Sequence, residues 1–176
     1  MKNVLDIPRT AMEVFNMLPE GTLCEVIDNV LYMSPSPTTD HQRILFDIAS
    51  EIRIHVKANK LGETFIAPCD VYLDAEENVV EPDIIFISTE KAGVVQRKGI
   101  YGAPDFLIEI LSTNVQHDKK RKLELYERNG VKEYIIIDPD TKQAWHYLLN
   151  NGKYDQQADT EVGKIYINEL SLTVNF

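Results

Sequence analysis

Apolar positions change their period along this chain, and each change marks an element. Met12 and Phe15, with Val14 and Leu18 beside them, stand at helical spacing and predict a helix from Thr10 to Leu18, stopped by Pro19. Leu23 to Asp28 and Val30 to Met33 read as two strands about an Asp28-Asn29 turn. Ser34-Pro35-Ser36-Pro37 breaks the pattern, and Thr38 or Thr39 then caps a long helix. Ile44, Leu45, Ile48, Ile52 and Val56 form its apolar stripe, and Gly62 lies beyond its end. Strand-like runs follow at Thr64 to Ala67, Val71 to Leu73 and Val79 to Ser88, whereas Thr89 to Ala103 has little periodicity and reads mostly as loop. Asp105 to Leu111 is almost continuously apolar, the signature of a strand covered on both faces. Asp118 to Asn129 reads as a helix seated by Leu123 and Leu125 and stopped by Gly130. Glu133 to Asp138 is a further apolar strand, and Asn150-Asn151-Gly152 turns between Gln143–Leu149 and Tyr154–Ala158. This order predicts an α/β (α+β) fold with a mixed sheet flanked by helices.

Composition narrows the setting. At 176 residues two separate cores would each be small, so one domain over 1–176 is expected. The longest apolar runs, such as Ile84-Ile85-Phe86-Ile87, are far too short for a bilayer span. The first residues carry Lys2, Asp6 and Pro8 where a signal peptide needs an apolar stretch. A cytoplasmic protein with no membrane partner is the expectation. Cys24 and Cys69 fall in no metal-ligand spacing, which points to inert thiols and removes thiolate zinc. The net charge of −10 works against non-specific affinity for nucleic acid, which draws on phosphate neutralisation. Cations nevertheless gather at Arg97-Lys98, at Lys119-Lys120-Arg121-Lys122, and at Arg128 and Lys132.

Carboxylates stand where burial is expected. Period-two alternation puts Glu81 and Asp83 on one face of the 79–88 strand, and Glu109 has apolar neighbours on both sides. If the two strands are adjacent, Asp83 and Glu109 approach, and a pair about 4 Å apart repels by roughly 4 kcal/mol at an effective dielectric near 20. A raised pKa relieves that repulsion, as does a divalent cation, and all-oxygen ligation favours Mg²⁺ or Mn²⁺. Pairing with a lysine or with a backbone N–H is the plainer alternative. Asp118, Lys122 and Tyr126 repeat at i, i+4 and i+8 on the following helix, a surface pair in most settings and a way to bring an ammonium to the acids in this one.

Taken together, Glu81-Pro82-Asp83, the run from Ala103 to Ser112, Asp118-x-x-x-Lys122-x-x-x-Tyr126 and Gly130-Val131-x-Glu133-Tyr134 resemble the Uma2 (DUF820) family of the PD-(D/E)XK nuclease superfamily. Leu23 to Asp28, Met33 to Pro37 and His41 are similar to the N-terminal half of that family, and the likeness runs from about Leu18 to Asp140. The resemblance implies a restriction-endonuclease-like core with an added N-terminal hairpin and a C-terminal meander. It implies Mg²⁺- or Mn²⁺-dependent cleavage of DNA, with Asp83, Glu109 and the carbonyl of Ile110 on the metal. The lysine of the superfamily sits two residues after the second acid, where this chain has Leu111, so Lys122 is the matching candidate. Glu25, His41, Glu81, Asp118 and Tyr126 are accessory candidates, and Arg97, Lys98, Lys119 and Lys120 are candidate contacts to nucleic acid. A nuclease-fold protein that acts only as a binding module is the alternative, and a homodimer stays open.

Overall fold

The computed structural model describes residues 7–74, 77–112, 115–158 and 161–176, and of 115–118 the backbone alone. The chain opens with α1 (Ala11–Met17), where Thr10 and Glu13 form a reciprocal capping box. The hairpin of β1 (Cys24–Ile27) and β2 (Val30–Met33) follows. The long helix α2 (Thr39–Asn59) starts where the Thr38 hydroxyl accepts the His41 N–H. Next come β3 (Gly62–Ile66), β4 (Val71–Tyr72), β5 (Val79–Val80) and β6 (Ile84–Ser88). A 3-10 turn at Thr89–Val94 leads into the small hairpin of β7 (Val95–Gln96) and β8 (Gly99–Tyr101), then β9 (Phe106–Ile110) and α3 (Val115–Arg128). The meander of β10 (Glu133–Ile137), β11 (Ala144–Asn150) and β12 (Lys153–Gln156) precedes a closing hairpin, β13 (Lys164–Ile167) with β14 (Leu172–Asn175).

Two mixed sheets result. The central one runs β12-β11-β10-β9-β6-β3, with β9 and β10 parallel and the other neighbours antiparallel. The second runs β2-β1-β5-β4-β8-β7, with only β4 and β8 parallel. One face of the central sheet, through Phe86, Ile108 and Ile135, packs on Ile44, Ile48 and Ile52 of α2, and β13–β14 completes that core. The opposite face, through Ile85, Leu107 and Ile136, packs on Leu125 and Tyr126 of α3 and on Val71, Val80 and Ile100 of the second sheet. β9 is therefore buried on both faces, as its apolar run requires.

Three local expectations change. Residues 79–88 are not one strand: the chain leaves the second sheet after Val80 and enters the central sheet at Ile84. Pro82, which has no N–H for a ladder, sits at the crossover, so Glu81 and Asp83 do not share one strand face. The 89–103 stretch holds a 3-10 turn and a hairpin, too short to show a period. Lys60, in the left-handed region, caps the end of α2, and Gly62 lies beyond it as expected. Gly62 is needed for close approach, because a Cβ there would lie 2.0 Å from the Ile87 carbonyl oxygen.

Two buried acids serve the scaffold. Asp105 accepts the Ser88 N–H at 2.8 Å and pairs with Lys132 at 2.8 Å and Lys91 at 3.5 Å. Glu133 meets His146 at 2.7 Å and accepts the N–H groups of Asn168 and Glu169. Both cysteines are free, and burial raises both thiol pKa values, which makes them poor nucleophiles. Among the described residues no helix is long and apolar enough to cross a membrane.

Candidate active site

Register brings the first two acids together. β6 and β9 pair antiparallel with Ile84 opposite Ile108, so Asp83, one residue before β6, stands across from Glu109. Asp83 Oδ2 accepts the Ile110 N–H at 2.7 Å, which anchors it to the peptide that follows Glu109. The same oxygen lies 3.2 Å from His41 Nε2, presented by the first turn of α2.

Glu109 faces α3. Its Oε1 accepts the Tyr126 hydroxyl at 2.7 Å and the Lys122 ammonium at 3.0 Å, the two donors standing one helical turn apart. Lys122 Nζ also lies 2.9 Å from Glu25 Oε1 on β1, and Glu25 accepts the Glu81 N–H at 2.9 Å. Lys122 thus ties the second sheet to the central one. Glu25, His41, Asp83, Glu109 and Lys122 are each at most 9 % exposed, and all line one cleft of about 720 Å³. Glu81, Leu111, Lys119 and Arg121 complete much of its wall.

Acids outnumber cations here, and protonation responds. Burial, then the charges of Asp70 and Glu25, push the Glu81 carboxyl up to about 7 against the pull of Lys122. Burial raises Glu109 as well, with Glu25 and Asp83 adding to it and Lys122 and Tyr126 opposing. Burial lowers the His41 pKa, but the hydrogen bond and charge of Asp83 and the Ile110 backbone outweigh it, so the net shift is upward. A raised carboxyl has a testable sign. Between the ordinary value of 4.5 and about 7 the folded state keeps the Glu81 proton that the unfolded chain has lost, so stability falls as pH rises through that window. Glu81→Gln should therefore raise the melting temperature above about pH 7 and leave it unchanged near pH 4. An equal gain at both ends of a pH series of thermal melts would assign the effect to packing instead.

Among the described residues the hydrogen bonds to Asp83 fall on Oδ2 and those to Glu109 on Oε1. No three His, Cys, Asp or Glu side chains among them are drawn together as a metal cage. Asp83 and Glu109 are the carboxylates here that could hold a hard cation, since Mg²⁺ keeps several waters and binds through one or two carboxylates.

The other candidates divide. Lys119 lines the cleft, its Nζ 2.9 Å above the centre of the Trp145 ring. Lys120 points to solvent beside Glu124, 3.8 Å away. Arg97 and Lys98 line a neighbouring groove that shares only Glu81 and Pro68 with the cleft. The Asp118 side chain lies outside the described residues. Sequence reasoning passed over Arg121, whose guanidinium stacks at 4.2 Å on Tyr32 at the cleft wall. Helical spacing from Lys122 gives no signal for it, because its position depends on where β2 lies.

The Uma2 family model, described as "Putative restriction endonuclease", matches residues 12–176. The chain belongs to the Uma2 family. It is also similar to a solved structure described as "a putative nuclease belonging to DUF820 from Anabaena variabilis", with a TM-score of 0.74 and 22% identity over 96% of this chain and 95% of that one. At that identity the likeness shows a shared fold of mixed sheets flanked by helices. No curated protein matches the chain. Leu111 stands two residues after Glu109, and the ammonium beside that acid comes from α3.

Proposed function

We propose that this Uma2 chain is a metal-dependent DNA endonuclease in which Asp83, Glu109 and the Ile110 carbonyl hold Mg²⁺ or Mn²⁺. One observation supports this above the others: residues from β1, the β5–β6 crossover, β9 and α3 meet in one cleft with an ammonium 3.0 Å from the second acid. A divalent cation bound there lowers the pKa of a coordinated water and offsets charge on the phosphate.

The chain's own groups do the rest. Lys122 stands where it can orient an attacking water by hydrogen bonding and support negative charge growing on the phosphate oxygens. Glu25 and Tyr126 hold Lys122 and Glu109 in mutual register, so little reorganisation is needed at the moment of reaction. His41 and the Ile110 N–H fix the rotamer of Asp83. Leu111 lines the cleft where a lysine would otherwise compete for Glu109.

The test is calorimetry with Mg²⁺ and Mn²⁺ beside cleavage of supercoiled, linear and single-stranded DNA at low salt. Binding near millimolar concentrations and cleavage that chelator abolishes are expected. The proposal is falsified if neither cation binds, even with DNA present, and no substrate is cut. That result would leave a nuclease fold serving as a binding module.

A further inference from the structure

We infer that the nucleic acid seated in this cleft is an unpaired strand, held by stacking of its bases more than by its phosphates. This inference rests on the nuclease reading and adds to it the form of the substrate.

Charge is the first argument. Protein binding to duplex DNA draws its sequence-independent affinity from neutralised phosphates. Around this cleft Glu25, Glu81, Asp83 and Glu109 face Lys119, Arg121 and Lys122, and Lys122 is already held between two of those acids. The chain as a whole carries −10. Arg97 and Lys98 open onto the neighbouring groove, and Lys120 pairs with Glu124. A duplex would find few cations and many acids.

The cleft wall supplies what phosphates do not. Tyr32 and the Arg121 guanidinium form a stacked pair at 4.2 Å, one from β2 and one from α3. Met33, beside Tyr32, is 63 % exposed, and Pro35 and Pro37 continue the apolar surface along the same wall. Bases stack on aromatic rings and on guanidinium planes. Stacked neighbours cover both faces of a base inside a duplex, whereas an unpaired base can offer a face to such a wall. Lys119 stands on the same cleft over Trp145, placed for the neighbouring phosphate.

Binding of a labelled oligothymidine and of a hairpin duplex of equal length, measured by fluorescence anisotropy in chelator and low salt, tests this without hydrolysis. The single strand should bind at least about tenfold more tightly than the duplex, the order of one stacked base. Tyr32→Ala and Arg121→Ala should each weaken single-strand binding about tenfold, and Tyr32→Phe should retain it. If Tyr32→Ala fails to fold, Met33→Ala at an exposed site serves the same purpose with a smaller loss. Equal or tighter duplex binding, or folded variants that bind the single strand like the parent, overturns the inference. Preferential cleavage of duplex with Mn²⁺ would also overturn it while leaving the nuclease reading standing. A single strand that is bound through Tyr32 but never cut would do the reverse.

Discussion

Exchange of Lys122 for methionine is expected to slow DNA cleavage by about a hundred- to a thousandfold while cation binding persists, the usual loss for one preorganised donor at a site of developing charge. The same change has a cost in the fold. Lys122 pairs with Glu25 and Glu109, all three nearly buried, and removing one partner of a buried pair costs about 3–5 kcal/mol. Protonation of Glu109, already favoured by its burial, relieves part of that cost at low pH. The variant should therefore lose stability progressively as pH rises from the ordinary carboxyl range, because its native state keeps protons that the unfolded chain has released. Lys122→Met combined with Glu25→Gln should recover much of the melting temperature and none of the rate. A double variant that regains the rate would make Lys122 a folding residue only, and a single variant that cuts like the parent would remove it from the chemistry.

Glu109→Gln should abolish cation binding and cleavage together, a loss of at least about a thousandfold, since several kcal/mol of charge stabilisation go with the cation. Stability should change little. Glutamine Oε1 can still accept from Tyr126 and Lys122, and Lys122 keeps Glu25 as its counter-charge. Calorimetry, a denaturation curve and a cleavage assay on one preparation separate these effects. Cleavage that survives the substitution would mark a contaminating nuclease, and cation binding that survives would take Glu109 out of the ligand set.

The expected repulsion between Asp83 and Glu109 finds a divided answer in the fold. Asp83 is held by the Ile110 N–H and His41, and Glu109 by Lys122 and Tyr126, so each acid has its own protein donors. The carboxyls of Glu81 and Glu109 are raised first by burial, and neighbouring acids, Asp83 among them for Glu109, add to it. Natural proteins accept such a loss of stability where function demands it.

Much of the architecture was legible in the one-dimensional pattern because burial imposes a period. The start of the long helix at Thr38 or Thr39, the nearly continuous run from Asp105 to Leu111 and the strand from Glu133 to Asp138 each match one element within a residue or two. Glu109 stood out for the same reason, a lone charge in a strand covered on both faces. The likeness to Uma2 joined Asp83, Glu109 and Lys122 across the chain before any distance was known. Short elements carried no such signal. β5, β7 and β8, two or three residues each, are strands only because partners from elsewhere complete their ladders.

The sequence by itself determined the longer helices and strands and which acids would be costly to bury. Each of these follows from local periodicity or from the price of desolvating a charge. Only the tertiary structure decided that the Glu81-Pro82-Asp83 segment crosses between two sheets, that Glu25 shares Lys122 with Glu109, and that Arg121 rather than Arg97 or Lys98 faces the cleft. Those outcomes depend on how β1, β2 and α3 pack around the central sheet. Residues dozens of positions apart meet there through the shared burial of apolar faces, which no local spacing encodes.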